Sequence, residues 1–197
     1  MKQALISVYN KTGIADFTKK LIKLDWKIIS TGGTAKVLRK AGIKVIPIEK
    51  ITQNPESFDG RMKTISFQIG GAILYDRKNK KHLKEAKKLG ISPIDMVVCN
   101  LYPFEKVIVK KNCTLKEAIE NIDIGGPMMI RAAAKNYKYV TVIIDPKDYK
   151  RIIKILRIKG KIPEKIHLEL AHKAFKRAAE YDRKIAKYFK NALQKSI

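Results

Sequence analysis

Twice near its start, the sequence runs a short apolar segment into a glycine-bearing turn and then into an amphipathic helical repeat. Residues 4–8 lead into Ser7-Val8-Tyr9-Asn10-Lys11-Thr12-Gly13, and residues 27–30 lead into Ser30-Thr31-Gly32-Gly33-Thr34. After the first turn Ile14, Phe17, Leu21 and Leu24 recur at helical spacing, and after the second a helix is expected over 34–41, ending at Gly42. Such alternation is the pattern of a parallel sheet, because parallel strands need long crossovers and those crossovers cover the sheet faces. Further strands are expected at 44–48, 96–100 and 141–144. Beyond Pro146, residues 147–159 and 163–190 read as helices, the second long enough to pack across the sheet or a neighbouring subunit. The expected class is α/β, a mainly parallel sheet with helices on both faces.

At 197 residues and 45% hydrophobic, the chain can bury one sizeable core, and no Gly/Ser/Pro-rich linker divides it, so a single domain over 1–197 is expected. No apolar run approaches the roughly 20 residues that span a bilayer, and the start runs directly into a strand; a soluble cytoplasmic protein without membrane contact is expected. Cys99 lies in an apolar run and Cys113 is too distant for a CxxC site, which suits free thiols in a reducing compartment. His82, His167 and His172 form no HExxH pattern, so neither a metal nor any other cofactor is expected. The formal charge of +25 raises the possibility of an anionic partner. The lysines are spread along every helix without aromatic interleaving, however, which fits a solvated surface better than specific nucleic-acid binding.

Chemistry concentrates in a few segments. A Gly-Gly turn between strand and helix lets backbone N–H groups approach an anion while the helix N-terminus adds a favourable dipole, although such turns are also common for purely structural reasons. Turns after neighbouring parallel strands gather at one sheet edge, where Lys11 would add a point charge to the same phosphate. Asp59-Gly60-Arg61-Met62-Lys63-Thr64 presents two cations to one ligand if extended, and is otherwise a solvated basic loop. Asn100-Leu101-Tyr102-Pro103-Phe104 ends an apolar strand at that edge, with Tyr102 either a hydroxyl donor or a packing residue. Asp123, before Gly125-Gly126-Pro127, is a candidate proton acceptor or simply an aid to the following helix, expected over 128–135. In Arg131-Ala132-Ala133-Ala134-Lys135-Asn136, three alanines permit close approach of another backbone or a ligand.

In this order, and over nearly the whole chain, the segments resemble the inosine monophosphate (IMP) cyclohydrolase domain of the bifunctional formyltransferase/cyclohydrolase family of purine biosynthesis. The most specific are Asn100-Leu101-Tyr102-Pro103-Phe104, Glu120-Asn121-Ile122-Asp123-Ile124-Gly125-Gly126-Pro127 and Arg131 to Asn136. The resemblance implies a methylglyoxal-synthase-like fold, usually a homodimer, and closure of a formamidoimidazole-carboxamide ribotide (FAICAR) to IMP. It implies that Ser7, Lys11, Thr31, Gly32, Gly33 and Thr34 hold the phosphate and ribose. It places Arg61, Lys63, Thr64, Asn100, Tyr102, Asp123, Ile124, Gly125 and Lys135 around the base, with Lys63, Tyr102, Asp123 and Lys135 catalytic. The family's formyltransferase domain is not among the matching segments, so a separate formyltransferase is expected to supply the substrate.

Three points stand against a simple transfer. On one straight helix, twelve residues at about 1.5 Å each would part Asp123 from Lys135 by about 18 Å, so contact needs a bend or a second subunit. The family's Leu-His-Pro after the Lys-Thr pair, and a second histidine beyond it, are replaced by Ile65-Ser66-Phe67-Gln68, with Ser66 and Gln68 the available substitutes. Its aspartate before the first lysine is here Asn10. Rival readings are a methylglyoxal-synthase-like lyase and a non-catalytic nucleotide-binding module of the same fold.

Overall fold

The computed structural model describes residues 1–109 and 112–195. Five strands form one sheet: β1 (Lys2–Val8), β2 (Trp26–Ser30), β3 (Ile46–Pro47), β4 (Met96–Asn100) and β5 (Thr141–Ile143). Their spatial order is β3-β2-β1-β4-β5 and every pairing is parallel. The apolar runs of β1 and β4 explain their central place: Ala4, Leu5, Ile6 and Met96 to Cys99 are buried, as strands covered on both faces must be. β3 holds only two of its five expected residues, and Pro47, which lacks an N–H, suits an edge strand.

Early helices α1 (Ile14–Ile22) and α2 (Gly32–Lys40) carry the first crossovers. Between β3 and β4 run α3 (Glu49–Thr52), α4 (Phe67–Leu74) and α5 (Lys80–Lys88). Between β4 and β5 run α6 (Phe104–Ile108), α7 (Leu115–Glu120) and α8 (Gly125–Lys135). A 3-10 turn, Pro146–Asp148, then precedes α9 (Tyr149–Lys159) and the long α10 (Glu164–Lys195). One group of helices packs as α1 with α2 and α9, the other as α8 with α4 and α10.

α4 escapes a periodicity reading because Gly70 and Gly71 interrupt its apolar pattern. Gly71 is there for packing, since a Cβ would meet Ile91 Cδ1 at 2.9 Å. α8 begins three residues before its expected start. Its three alanines, all buried, let the helix settle close to α4 and β4, and Asn136 then donates its amide to the carbonyls of Ile73 and Tyr75. Among the described residues, no helix is long and apolar enough to cross a membrane, and no three His, Cys, Asp or Glu side chains cluster as metal ligands would.

Candidate active site

The β1–β4 register sets Ser7 beside Cys99 and Val8 beside Asn100, so the turns after both strands emerge together. The turn after β2 joins them through Thr34, whose buried hydroxyl accepts the Val8 N–H and donates to the Val8 carbonyl, both at 3.0 Å. Asn100 performs the same service for the first turn: its Oδ1 accepts the Asn10 N–H at 2.8 Å and its Nδ2 donates to the Asn10 carbonyl at 3.1 Å. Both residues also line the cavity, so their polar atoms hold the turns from within its wall.

These turns open onto a cavity of about 720 Å³. Ser7, Lys11, Thr31, Gly32, Gly33 and Thr34 line one end. Arg61, Lys63, Thr64, Asn100, Tyr102, Asp123, Ile124 and Gly125 line the rest. Lys11 and Lys63 converge on the glycine turn: a Cβ on Gly32 would lie 2.9 Å from Lys63 Nζ, and one on Gly33 would lie 3.9 Å from Lys11 Nζ. Gly32 also holds a φ of +50°, so the residue is required by conformation as well as by space. Thr31, 5% exposed, keeps its hydroxyl in this corner without a hydrogen-bond partner. Two ammonium groups, an unmatched hydroxyl and the N-terminus of α2 together make a strong anion site. Lys63 was expected at the base end, yet its ammonium rests at this corner.

Lys63 reaches it from a hairpin closed by the antiparallel bridge of Ser57 and Met62. Glu56 and Lys63 flank that bridge and pair at 2.6 Å, while Arg61 pairs with Glu120 at the end of α7. At the hairpin tip Phe58, Asp59 and Gly60 all have positive φ, and Phe58 is exposed. Strain of this kind is stored where surrounding contacts over-determine the backbone.

Asp123 lies in the turn just before α8, and its Oδ1 accepts the Gly126 N–H at 2.8 Å. It therefore does assist the helix N-terminus, while lining the cavity. Burial pushes its carboxyl above the usual aspartate range, against the backbone N–H groups of Gly126 and Tyr102, which pull it down. Gly125 leaves room for the neighbouring segment, since a Cβ there would lie 2.2 Å from Thr64 Oγ1. Tyr102 is set by an edge-on contact with Tyr9, ring centroids 4.5 Å apart.

Lys135 is not part of this wall. It is exposed at the far end of α8, and ten residues of helix at about 1.5 Å each separate it from Gly125 by about 15 Å. Ser66 caps α4 by accepting the Ile69 N–H, and neither it nor Gln68 lines the cavity. Sequence reasoning missed Glu56, which enters through a hairpin that no periodicity reveals. It also missed Tyr9 as a cavity residue, although its place between Ser7 and Lys11 offered the signal.

Residues 13–128 match the MGS-like domain, and residues 133–197 match the AICARFT/IMPCHase bienzyme family. The chain is 51% identical to the bifunctional purine biosynthesis protein PurH of Ruminiclostridium cellulolyticum, over 98% of this chain and 38% of that protein. It is 53% identical to the PurH of a Thermoanaerobacter species, over 95% of this chain and 37% of that protein. The chain thus spans under two fifths of the length of these relatives. The crystal structure of ForH superposes with a TM-score of 0.84 at 33% identity, covering 95% of this chain and 98% of ForH. The chain belongs to the MGS-like domain family and is a relative of the PurH purine-biosynthesis proteins.

Proposed function

We propose that the protein is an IMP cyclohydrolase, closing the ring of FAICAR with loss of water. The observation that carries this reading is one cavity that joins the anion corner of Gly32, Gly33, Lys11 and Lys63 to a polar wall bearing Tyr102 and Asp123. A ribotide needs both, a seat for its phosphate and polar groups around its heterocycle. The relatives named for purine biosynthesis support the same substrate class.

The carboxamide nitrogen attacks the formyl carbon of the same molecule, so proximity contributes less than in a two-substrate reaction. Charge control contributes more. As the carbon–nitrogen bond forms, the formyl oxygen gains negative charge, which Tyr102 and the ammonium of Lys63 stabilise; one such donor is typically worth about 3–4 kcal/mol. Lys63 reaches the heterocycle from the phosphate corner by rotating its flexible four-carbon stem. Asp123 accepts the carboxamide proton; the former formyl oxygen takes up that proton and the one released by the formamide nitrogen, and leaves as water as that nitrogen's electron pair forms the ring carbon–nitrogen double bond. The protein's positive field steers the anionic ribotide in.

Lys135 enters this scheme from a second copy of the chain. A homodimer seating the end of one α8 beside its partner's cavity would supply the missing cation, and exposed apolar side chains near the mouth, Phe58 and Ile124 among them, suit such an interface. The working place is the cytoplasm, with the formyl group installed by a formyltransferase site.

Purified protein mixed with FAICAR and followed for IMP tests the reading. Appearance of IMP is expected. Tight nucleotide binding without turnover would favour a binding module, and methylglyoxal from a triose phosphate would favour a lyase.

A further inference from the structure

α10 contributes no residue to the cavity wall, yet it grips both segments that carry polar groups into it. Tyr181, 1% exposed, accepts the Asp123 backbone N–H on its hydroxyl at 2.8 Å. One turn further on, Lys184 Nζ donates to Glu105 Oε1 at 2.7 Å, and Glu105 lies in α6, just beyond Tyr102. Tyr102 and Asp123 both line the cavity, one on each of the two segments that α10 holds. Tyr181 thus ties the turn from behind, while the carboxylate faces the cavity.

The ring of Tyr181 is held independently of its hydroxyl, edge-on to Phe104 with centroids 6.5 Å apart. Burial pushes the hydroxyl up to about 12, so it stays neutral across the working pH range and its oxygen remains an acceptor. The Asp123 N–H lies in the turn between α7 and α8 and is taken by the Tyr181 hydroxyl. Tyr181 and Cys99 both feel the charge of Asp123, and burial raises the Cys99 thiol so that it stays protonated.

We propose that Tyr181 is a positioning residue for Asp123, its hydroxyl fixing the backbone of the turn so that the carboxylate stays buried and aimed into the cavity. The inference rests on the reading of Asp123 as the proton acceptor. Without the hydroxyl the turn loosens, the bond from Gly126 lengthens, and water reaches the carboxylate. Turnover then falls while the phosphate corner, built on other turns, binds as before.

The test compares wild type with Tyr181→Phe in the full chain. Cyclisation is measured across pH, and the Asp123 carboxyl is titrated by ¹³C NMR, assigned with Asp123→Asn. Expected are a kcat lower by about tenfold, a KM within about twofold, and an Asp123 titration displaced from its wild-type position. An unmoved titration with an unmoved kcat, whatever happens to Tm, overturns the inference. If wild type makes no IMP, the cyclohydrolase reading fails, and the titration alone then decides the positioning role: displaced retains it, unmoved removes it. Should Tyr181→Phe not fold, 3-fluorotyrosine placed at 181 keeps the ring while weakening its oxygen as an acceptor, and an unmoved titration there overturns the inference equally.

Discussion

Lys63 and Glu56 pair at 2.6 Å across the neck of the Ser57–Met62 hairpin, with the same ammonium resting on Gly32. The pair sets a carboxylate beside the corner that suits a phosphate. An incoming dianion must therefore compete with Glu56 for its cation.

Replacing Glu56 with Gln removes that competition while keeping the side chain's shape. Partly exposed pairs are worth only about 0.2–1 kcal/mol, so IMP should bind up to about fivefold more tightly in Glu56→Gln. Calorimetric titration with IMP checks this, and weaker binding would show that Glu56 supports the site instead of opposing it.

Lys11 and Lys63 meet at one corner but differ in their assigned work. Lys63→Ala should lower kcat by hundreds of times, the usual cost of losing a donor to a developing oxyanion. Lys11→Ala should chiefly raise KM, by about tenfold or more, because a charge-assisted bond to a phosphate acts equally in ground and transition states. Equal effects on both parameters in the two variants would defeat the division.

The acid side of the rate profile should report Asp123. Its pKa is raised in the folded protein, so the base form appears only at pH above the ordinary aspartate range, and turnover should climb through that higher pH. The linkage runs the same way. A raised folded pKa contributes stability below the unfolded value near 3.9 that is lost as pH rises through the folded pKa. Asp123→Asn should accordingly abolish the acid limb along with most turnover. A limb persisting unchanged in that variant assigns it to another group.

Gly125→Ala drives a methyl into Thr64 Oγ1, a flexible side-chain atom on a segment that must then shift. Overpacking of this kind typically costs about 1–3 kcal/mol, and here it also displaces the Lys63-bearing loop. Both Tm and kcat should fall. A variant with normal kcat would show that the loop tolerates the displacement.

Sharing of the site between two copies predicts a complementation. Lys63→Ala and Lys135→Ala proteins, each nearly inactive, should regain about one quarter of wild-type activity when unfolded and refolded together, because half the dimers are hybrids with one intact site. No recovery would place Lys135 either outside the reaction or within its own copy's site.

What was legible in the sequence was whatever depends on neighbours along the chain. All five strands, the turns of Lys11 and Gly32, and the long last helix follow from apolar periodicity and glycine placement, since backbone conformation and side-chain facing are set within a few residues. Because parallel strands bring their C-terminal ends to one edge, that local information was enough to gather nearly every expected site residue. Packing between distant segments was not legible. Gly70 and Gly71 break the pattern of α4 yet admit Ile91, and only that contact makes the helix sensible.

The sequence by itself determined the strand-and-turn frame and the chemical inventory of the cavity. Tertiary structure alone decided how that inventory is used: Thr34 and Asn100 lock turns, Glu56 takes hold of Lys63, Tyr181 bonds the Asp123 backbone from behind, and Lys135 lies outside the cavity lining. Each of these depends on where a donor or acceptor lies in space, and residues far apart along the chain carry no spacing that records their meeting.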